Sequence, residues 1–365
     1  MARIVTVYNA WRKPFDLVEM GYIRWLKMSE ALACWGHEVD IATDEPTWHR
    51  LWGRRSEVRL GPRLRRIPLA AVRWDEYDMV KTLFHVGFET LERYHGTAHP
   101  LVISKLGSVV APHDMEGVPF YGRQRARLYA VQERIARTSA YVTVISPPAQ
   151  ELWTECFGPT PEVLLVPGAV DREVPPPGPD PYPADGRPRC LFAGNVYFRQ
   201  SQPEGNAVLM DKLNRLGALL TQRGARLYLL GTGDVRRLDR RHVTYLGSRS
   251  YGDAWDFMHH ADVGIIVAPD RYLHNNETTK LYHYLRVGLP VVCEAGFPNE
   301  HLIAEAGLGL VTANGNIEAM AAGVAEALAR PWDRDRAVRY ILQHHTWDQR
   351  AAIYDALLAR RSPPS

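Results

Sequence analysis

The sequence predicts an α/β protein made of two doubly wound, parallel-sheet domains. Short apolar runs alternate with helical patterns almost from end to end, the alternation breaks once in a proline-rich stretch, and it then restarts. Early strands read RIVTVY, EVDIAT, MVKTLF, LVIS, YVTVIS and VLLVP, with helical patterns such as 22–35 and 124–138 between them. Continuous apolar runs of this kind belong to parallel sheets covered on both faces. Residues 167–188 contain eight prolines, which neither a helix nor a central strand accepts, so a semi-rigid linker is expected there. The alternation resumes with RCLFAG, ARLYLLG, HVTYLG, DVGIIVAP, LPVVCEA and LGLVT, and helical patterns fall at 205–222, 251–260, 279–287 and 317–329. The expected division is a first domain over 1–170, a linker over 171–188 and a second domain over 189–345. TWDQRAAIYDALLARR closes the pattern as an amphipathic helix with Trp347, Ala351, Tyr354 and Leu358 on one stripe.

Bulk properties narrow the function. A chain of 365 residues is long enough for two cores, and 46% hydrophobic with 23% charged residues is a globular balance. The net charge of +3 is too small to imply nucleic-acid binding. Cys34, Cys156, Cys190 and Cys293 are scattered without a CxxC pair, which argues for reduced thiols rather than disulfides or a zinc site. No apolar run approaches the ~18 residues of a membrane span, and MARIVTVYNAW lacks the pattern of a signal peptide. A cytoplasmic protein is expected. The single D-x-D, at 333–335, lies between C-terminal helices and reads as surface charge, so no metal ligands are assigned. Six arginines in 54–66 and five in 121–137 form either a solvated basic face or a peripheral contact with an anionic membrane or lipid-diphosphate acceptor.

One stretch carries chemistry, HNNETTKLYHYLRVGLPVVCEAG. It runs through a polar loop into a short helix that Gly288 and Pro290 end, between two buried strands. A helix start carries partial positive charge, so Lys280 in the first turn suits an anion bound at that end. The loop lies at the carboxyl edge of the sheet, where open α/β sheets bind ligands. Two readings stand open. In one, Thr278, Thr279 and Lys280 hold a diphosphate while His283 reaches a sugar hydroxyl; in the other, this is a capped helix with a solvated lysine. Gly231 and Gly233 in LYLLGTGD either let a nucleotide approach the backbone or form an ordinary turn. Arg199, beyond Gly194, is either a second phosphate cation or an exposed arginine, and VTYLG offers backbone groups at Gly247.

In their order, Gly194 with Arg199, LLGTGD, VTYLG, ADVGIIVAP and KLYHYLRVGLPVV resemble the C-terminal half of nucleotide-sugar glycosyltransferases of the GT-B fold. The resemblance is to the family-4 group and its bacterial polysaccharide-assembly relatives, and runs from about 189 to 312. WGHEVDIATD, YDMVKTLFH and YVTVIS match the first half more loosely. The resemblance implies two Rossmann-like domains facing each other across a cleft, with the C-terminal helix (346–361) returning to the N-terminal, acceptor-binding domain. It implies a hexosyl- or glucuronosyltransferase that takes a nucleoside-diphosphate sugar, a UDP-sugar above others. The acceptor would be a glycan, lipid-linked or small-molecule hydroxyl in polysaccharide, glycolipid or glycoconjugate synthesis, with no metal or other cofactor.

The family often has two glutamates eight positions apart near this helix; here those positions hold Asn275 and His283. Glu277 stands close to the loop position as a substitute toward the donor sugar, and Asn276 lies beside it. Lys280 resembles the lysine that several polysaccharide glucuronosyltransferases place on the donor phosphates. The usual Gly-Gly loop after the first strand is replaced by YNAWRKPFDLVEMGY, with Gly21 alone. Catalytic candidates are His113 and Asp114 in GSVVAPHDMEG, then His85 at the end of MVKTLF. A sugar-nucleotide epimerase of the same fold and a degenerate transferase that only binds remain as alternatives. A nicotinamide-dependent dehydrogenase would require G-x-G-x-x-G after an early strand, and VTVYNAWRKPFD has nothing of that form.

Overall fold

The computed structural model describes residues 1–8, 20–44, 57–113, 124–196, 203–269 and 275–361. The chain divides into two compact units. The first holds the described residues up to Pro167 together with the stretch from Trp347, and the second holds residues 168–346.

In the first unit β1 (Arg3–Val7) leads to α1 (Met20–Cys34), β2 (Glu38–Thr43), β3 (Val58–Gly61) and β4 (Leu64–Pro68). β5 (Met79–Leu83) runs straight into α2 (Phe84–Tyr94), followed by β6 (Val102–Lys105), α3 (Arg125–Thr138), β7 (Tyr141–Val144), α4 (Pro147–Phe157) and β8 (Glu162–Leu165). The sheet order is β3-β4-β2-β1-β5-β6-β7-β8, parallel except for the β3–β4 hairpin. The central strands are the apolar runs of the sequence and are buried along their length. The hairpin is the exception, made from the arginine-rich stretch and open to solvent along β3.

In the second unit the elements are β9 (Arg189–Ala193), α5 (Pro203–Gln222), β10 (Arg226–Leu230), β11 (Val243–Gly247), α6 (Tyr251–His259) and β12 (Val263–Ile266). Then come α7 (Thr279–Arg286), β13 (Val291–Glu294), α8 (His301–Ala306), β14 (Gly309–Thr312), α9 (Ile317–Ala329) and α10 (Arg334–His344). All its strands are parallel, in the order β11-β10-β9-β12-β13-β14, so the winding reverses between β9 and β12. Both sheets have the doubly wound form that the alternation predicts.

Two segments complete the units. α11 (Trp347–Arg361) groups with the first unit, packs on α1, and buries Trp347, Ala351, Tyr354 and Leu358, the stripe read from the sequence. The second is the proline-rich segment. Expected as a semi-rigid linker, it groups with the second unit and is laid down on it. Tyr182 is buried there, its hydroxyl donates to the carbonyl of Phe257 (2.8 Å), and its ring meets Tyr228 and Phe257 edge-on. Gly178 N–H donates to Asp256 (2.8 Å) and Asp180 pairs with Arg189 (2.8 Å). Proline fixes the backbone in an extended path and removes donors, which lets such a segment lie against a surface without regular structure of its own.

The first sheet buries a charge. Lys81 on β5 is 2% exposed, its Nζ stands 5.2 Å from the ring centre of Tyr354, and no carboxylate meets it among the described residues. Burial pulls its pKa down to about 7. An unfolded lysine titrates near ~10.4, so between those values the unfolded chain binds more protons and stability rises with pH. The cost of Lys81 is therefore full below pH ~7 and gone above pH ~10.4. Lys81→Met should raise the unfolding free energy by on the order of a few kcal/mol near pH 6 and by close to nothing near pH 10. Denaturant titrations at the two pH values read this directly, and an equal gain at both would refute it.

Candidate active site

The second sheet opens where its winding reverses. β12 pairs with β9 only at Val263–Cys190 and Gly264–Leu191, after which the strands separate. The hydroxyl of Tyr284, from α7, fills the gap: it accepts from the N–H of Ala193 (2.7 Å) and donates to the carbonyl of Leu191 (2.9 Å). Its ring lies so close over β12 that a β-carbon on Gly264 would come within 2.5 Å of it. A crevice at the point of reversal is where open α/β sheets take ligands. Tyr284 fixes α7 beside that point.

One turn earlier on α7 stands Lys280. Its Nζ lies 4.6 Å from the ring centre of Phe192 on β9, and a β-carbon on Gly194 would come within 2.9 Å of its Cε. Among the described residues no carboxylate or carbonyl binds the ammonium, and burial pulls its pKa down to about 8. Thr278 is the cap residue, yet its side chain makes no cap hydrogen bond and its buried Oγ1 has no partner among the described residues. The first backbone N–H groups of any helix have no intrahelical acceptor. An ammonium, a hydroxyl and a helix start thus share one turn, the donor set an anion requires.

The loop that leads into α7 is held from behind. Asn299 accepts from Thr278 N–H and donates to the Thr278 carbonyl, both at 3.0 Å. Glu277 does not face a donor sugar, as its sequence position suggests. Its carboxylate accepts from Gly168 N–H and from the Tyr282 hydroxyl, each at 2.6 Å, and so braces the loop. Nor does His283 reach outward to a sugar hydroxyl; it is buried among Tyr251 and Trp255. Its Nδ1 donates to the carbonyl of Thr279 (3.0 Å), which leaves Nε2 to accept from the Tyr251 hydroxyl (3.2 Å). Asn276 and Thr279 are half-buried in the loop and first turn.

The G-x-G turn follows β10. Gly231 and Gly233 have φ of 152° and 132°, and a β-carbon would come within 2.1 Å of the Gly194 carbonyl oxygen or 1.8 Å of that of Val196. Both glycines are needed because this turn packs directly on the exit from β9. Asn195 ties the two together, accepting from the N–H (3.0 Å) and hydroxyl (2.9 Å) of Thr232. Gly247, at the end of β11, takes the Gly231 N–H on its carbonyl (3.0 Å). Arg199 lies outside the described residues.

In the first unit His85 lies in the first turn of α2, just past the carboxyl end of β5, and Gln132 of α3 binds it (3.1 Å). The Gln132 amide is oriented by Val110, whose N–H donates to Oε1 (2.9 Å) and whose carbonyl accepts from Nε2 (2.7 Å). Oε1 can only accept, so His85 carries its proton on Nε2 and keeps the Nδ1 lone pair. Burial lowers its pKa and keeps the ring neutral. Nothing in the local pattern around Gln132 points to this role. His113 is exposed and pairs with Glu155 (3.2 Å), and Asp114 lies outside the described residues. Among the described residues no cluster of three His, Cys, Asp or Glu side chains is placed to hold a metal, and no helix is long and apolar enough to cross a membrane.

Comparison with known proteins agrees with this architecture. Residues 187–330 match the model of the family described as glycosyl transferases group 1. No curated protein matches the chain. Among solved structures, sucrose-phosphate synthase from Thermosynechococcus elongatus superposes with a TM-score of 0.74 at 16% identity over 99% of each chain. WaaG, a glycosyltransferase involved in lipopolysaccharide biosynthesis, gives 0.59 at 16% identity over 97% of this chain and 95% of its own. Anabaena HepE in complex with UDP-glucose gives 0.68 at 13% identity over 99% and 100%. Its two parallel-sheet units thus share the GT-B fold of these structures, and the second of them carries the stretch that matches the group 1 glycosyl transferase model.

Proposed function

We propose that this chain transfers a sugar from a UDP-sugar to a hydroxyl acceptor in the assembly of a polysaccharide, glycolipid or other glycoconjugate. The observation that carries the reading is Lys280, a cation that meets no carboxylate among the described residues, at the start of the helix beside the point of reversal. The diphosphate rests on Lys280, Thr278, Thr279 and the α7 start, with the nucleotide toward the turn at Gly231–Gly233. Arg199 joins as a second cation on its sequence position alone. As the sugar bond breaks, charge collects on the departing diphosphate, and donors already fixed in place stabilise it without reorganising and without a metal ion. HepE, solved with UDP-glucose, and WaaG, involved in lipopolysaccharide biosynthesis, support the donor and pathway class. For the acceptor hydroxyl the first unit offers the Nδ1 lone pair of His85, a neutral imidazole suited to take a proton. His113 and Asp114 are kept as candidates from the sequence.

A melting-temperature screen across nucleoside diphosphates and their sugars tests the reading. UDP and a UDP-sugar should stabilise the protein. Lys280→Ala should lose that stabilisation, and so should Gly194→Ala, whose methyl pushes the lysine tip aside at little cost to folding. No stabilisation by any of these ligands would overturn the proposal. Affinity should also depend on pH. A bound diphosphate raises the Lys280 pKa from about 8, so binding takes up a proton above that value. Titrations from about pH 7 to 9 should show affinity level and then falling toward a slope of about one proton, and Lys280→Ala should flatten the curve. His85→Asn should keep donor affinity and cut turnover by about a hundredfold or more.

A further inference from the structure

The arginine-rich stretch singled out in the sequence helps to line a cavity in the first unit. Register explains where its side chains go. Antiparallel pairing sets Arg59 opposite Arg65, and parallel pairing sets Arg65 beside Asp40 and Asp40 beside Val5. Arg3, two positions before Val5, faces the same side. Together with the segment returning from β4 to β5 these residues line a cavity of about 760 Å³, wholly within the first unit.

Its charges do not cancel. Arg3, Arg59, Arg65 and Arg73 line it with Glu57 and Glu76, and Asp40 behind Arg65 supplies a third carboxylate, which leaves one arginine in excess. Arg65 is fully engaged, forked on Asp40 by two bonds of 2.8 Å and paired with Glu57 at 3.0 Å. Glu76 is shared between Arg3 (2.6 Å) and Arg73 (3.2 Å), and these bonds hold its carboxyl below the usual range. Arg59 meets no carboxylate among the described residues. Backbone carbonyls of Gly61 (3.2 Å) and Pro62 (3.0 Å) aim its guanidinium instead. Arg3 lies over the Tyr77 ring at 5.0 Å, and Ile67, Pro68 and Ala71 add apolar surface.

Aimed guanidinium forks match the oxygens of a phosphate, and an apolar wall suits the organic part of its bearer. A lipid surface would favour basic side chains standing free on a convex face, whereas most of these are fixed in a concavity. We propose that this cavity binds the phosphate group of a small phosphorylated molecule, at a site in the first unit separate from the α7 start.

Calorimetric titration of the whole chain with inorganic phosphate and with glycerol 3-phosphate tests this, in the wild type and in Lys280→Ala, so that binding at α7 cannot stand in for it. Saturable binding near one site per chain is expected in both. It should weaken about tenfold or more in Arg59→Ala/Arg73→Ala, exposed positions whose loss leaves the melting temperature unchanged. Ala71→Trp, which fills the cavity and keeps every arginine, should also weaken glycerol 3-phosphate. Absence of binding, loss of it in Lys280→Ala, or equal affinity in the arginine variant overturns the proposal. Phosphatidylglycerol vesicles bound through Arg59 and Arg73, with no competition from glycerol 3-phosphate, would also overturn it by assigning the arginines to a lipid surface.

Discussion

Parallel strands that part company leave backbone groups in want of partners, and between β9 and β12 the phenol of Tyr284 supplies them. The hydroxyl serves both Ala193 and Leu191, and the ring reaches that position only because Gly264 has no side chain in its way. This keeps the crevice open without exposing unsatisfied polar groups. It also fixes α7 at one end, so the first turn of that helix, Lys280 included, is presented beside Phe192 and Gly194 rather than left to wander. The candidate site therefore depends on a residue whose hydroxyl is spent on the main chain.

The same economy recurs around the loops. Asn299 grips Thr278 through both backbone groups, Glu277 grips Gly168, and Gln132 grips Val110 while setting the tautomer of His85. Each is a buried polar side chain satisfied by main chain, so each holds a loop without regular structure of its own. Lys280, Thr278 Oγ1 and His85 Nδ1 differ in carrying hydrogen-bonding capacity that no other described residue meets. That is the division between scaffold and site that preorganised catalysis requires.

The central strands are legible because burial on both faces leaves an apolar run in the sequence, and the closing helix because its stripe has a helical period. The β3–β4 hairpin is not: β3 is exposed, and its arginines read as surface charge. α10 buries only Ala337 and Ile341, too little to leave a clear pattern, and α2 starts without a capping side chain, at Phe84 with φ of 57°. Lys280 stands out because a lysine is misplaced in a first turn. The sequence misleads at His283 because α7 is buried from Leu281 to Leu285, so no outward face exists for it to occupy. Gln132, Asn299 and Tyr284 act on residues 22, 21 and 93 positions away, and no local pattern records such pairs.

The docking of the proline-rich segment bears on where this protein can be cut. A fragment beginning at Arg189 would retain every strand and helix of the second sheet. It would also strip Tyr182 from Tyr228 and Phe257, leaving aromatic faces bare and inviting self-association. Starting at Gly168 keeps that cover in place, along with the main-chain donor on which Glu277 rests.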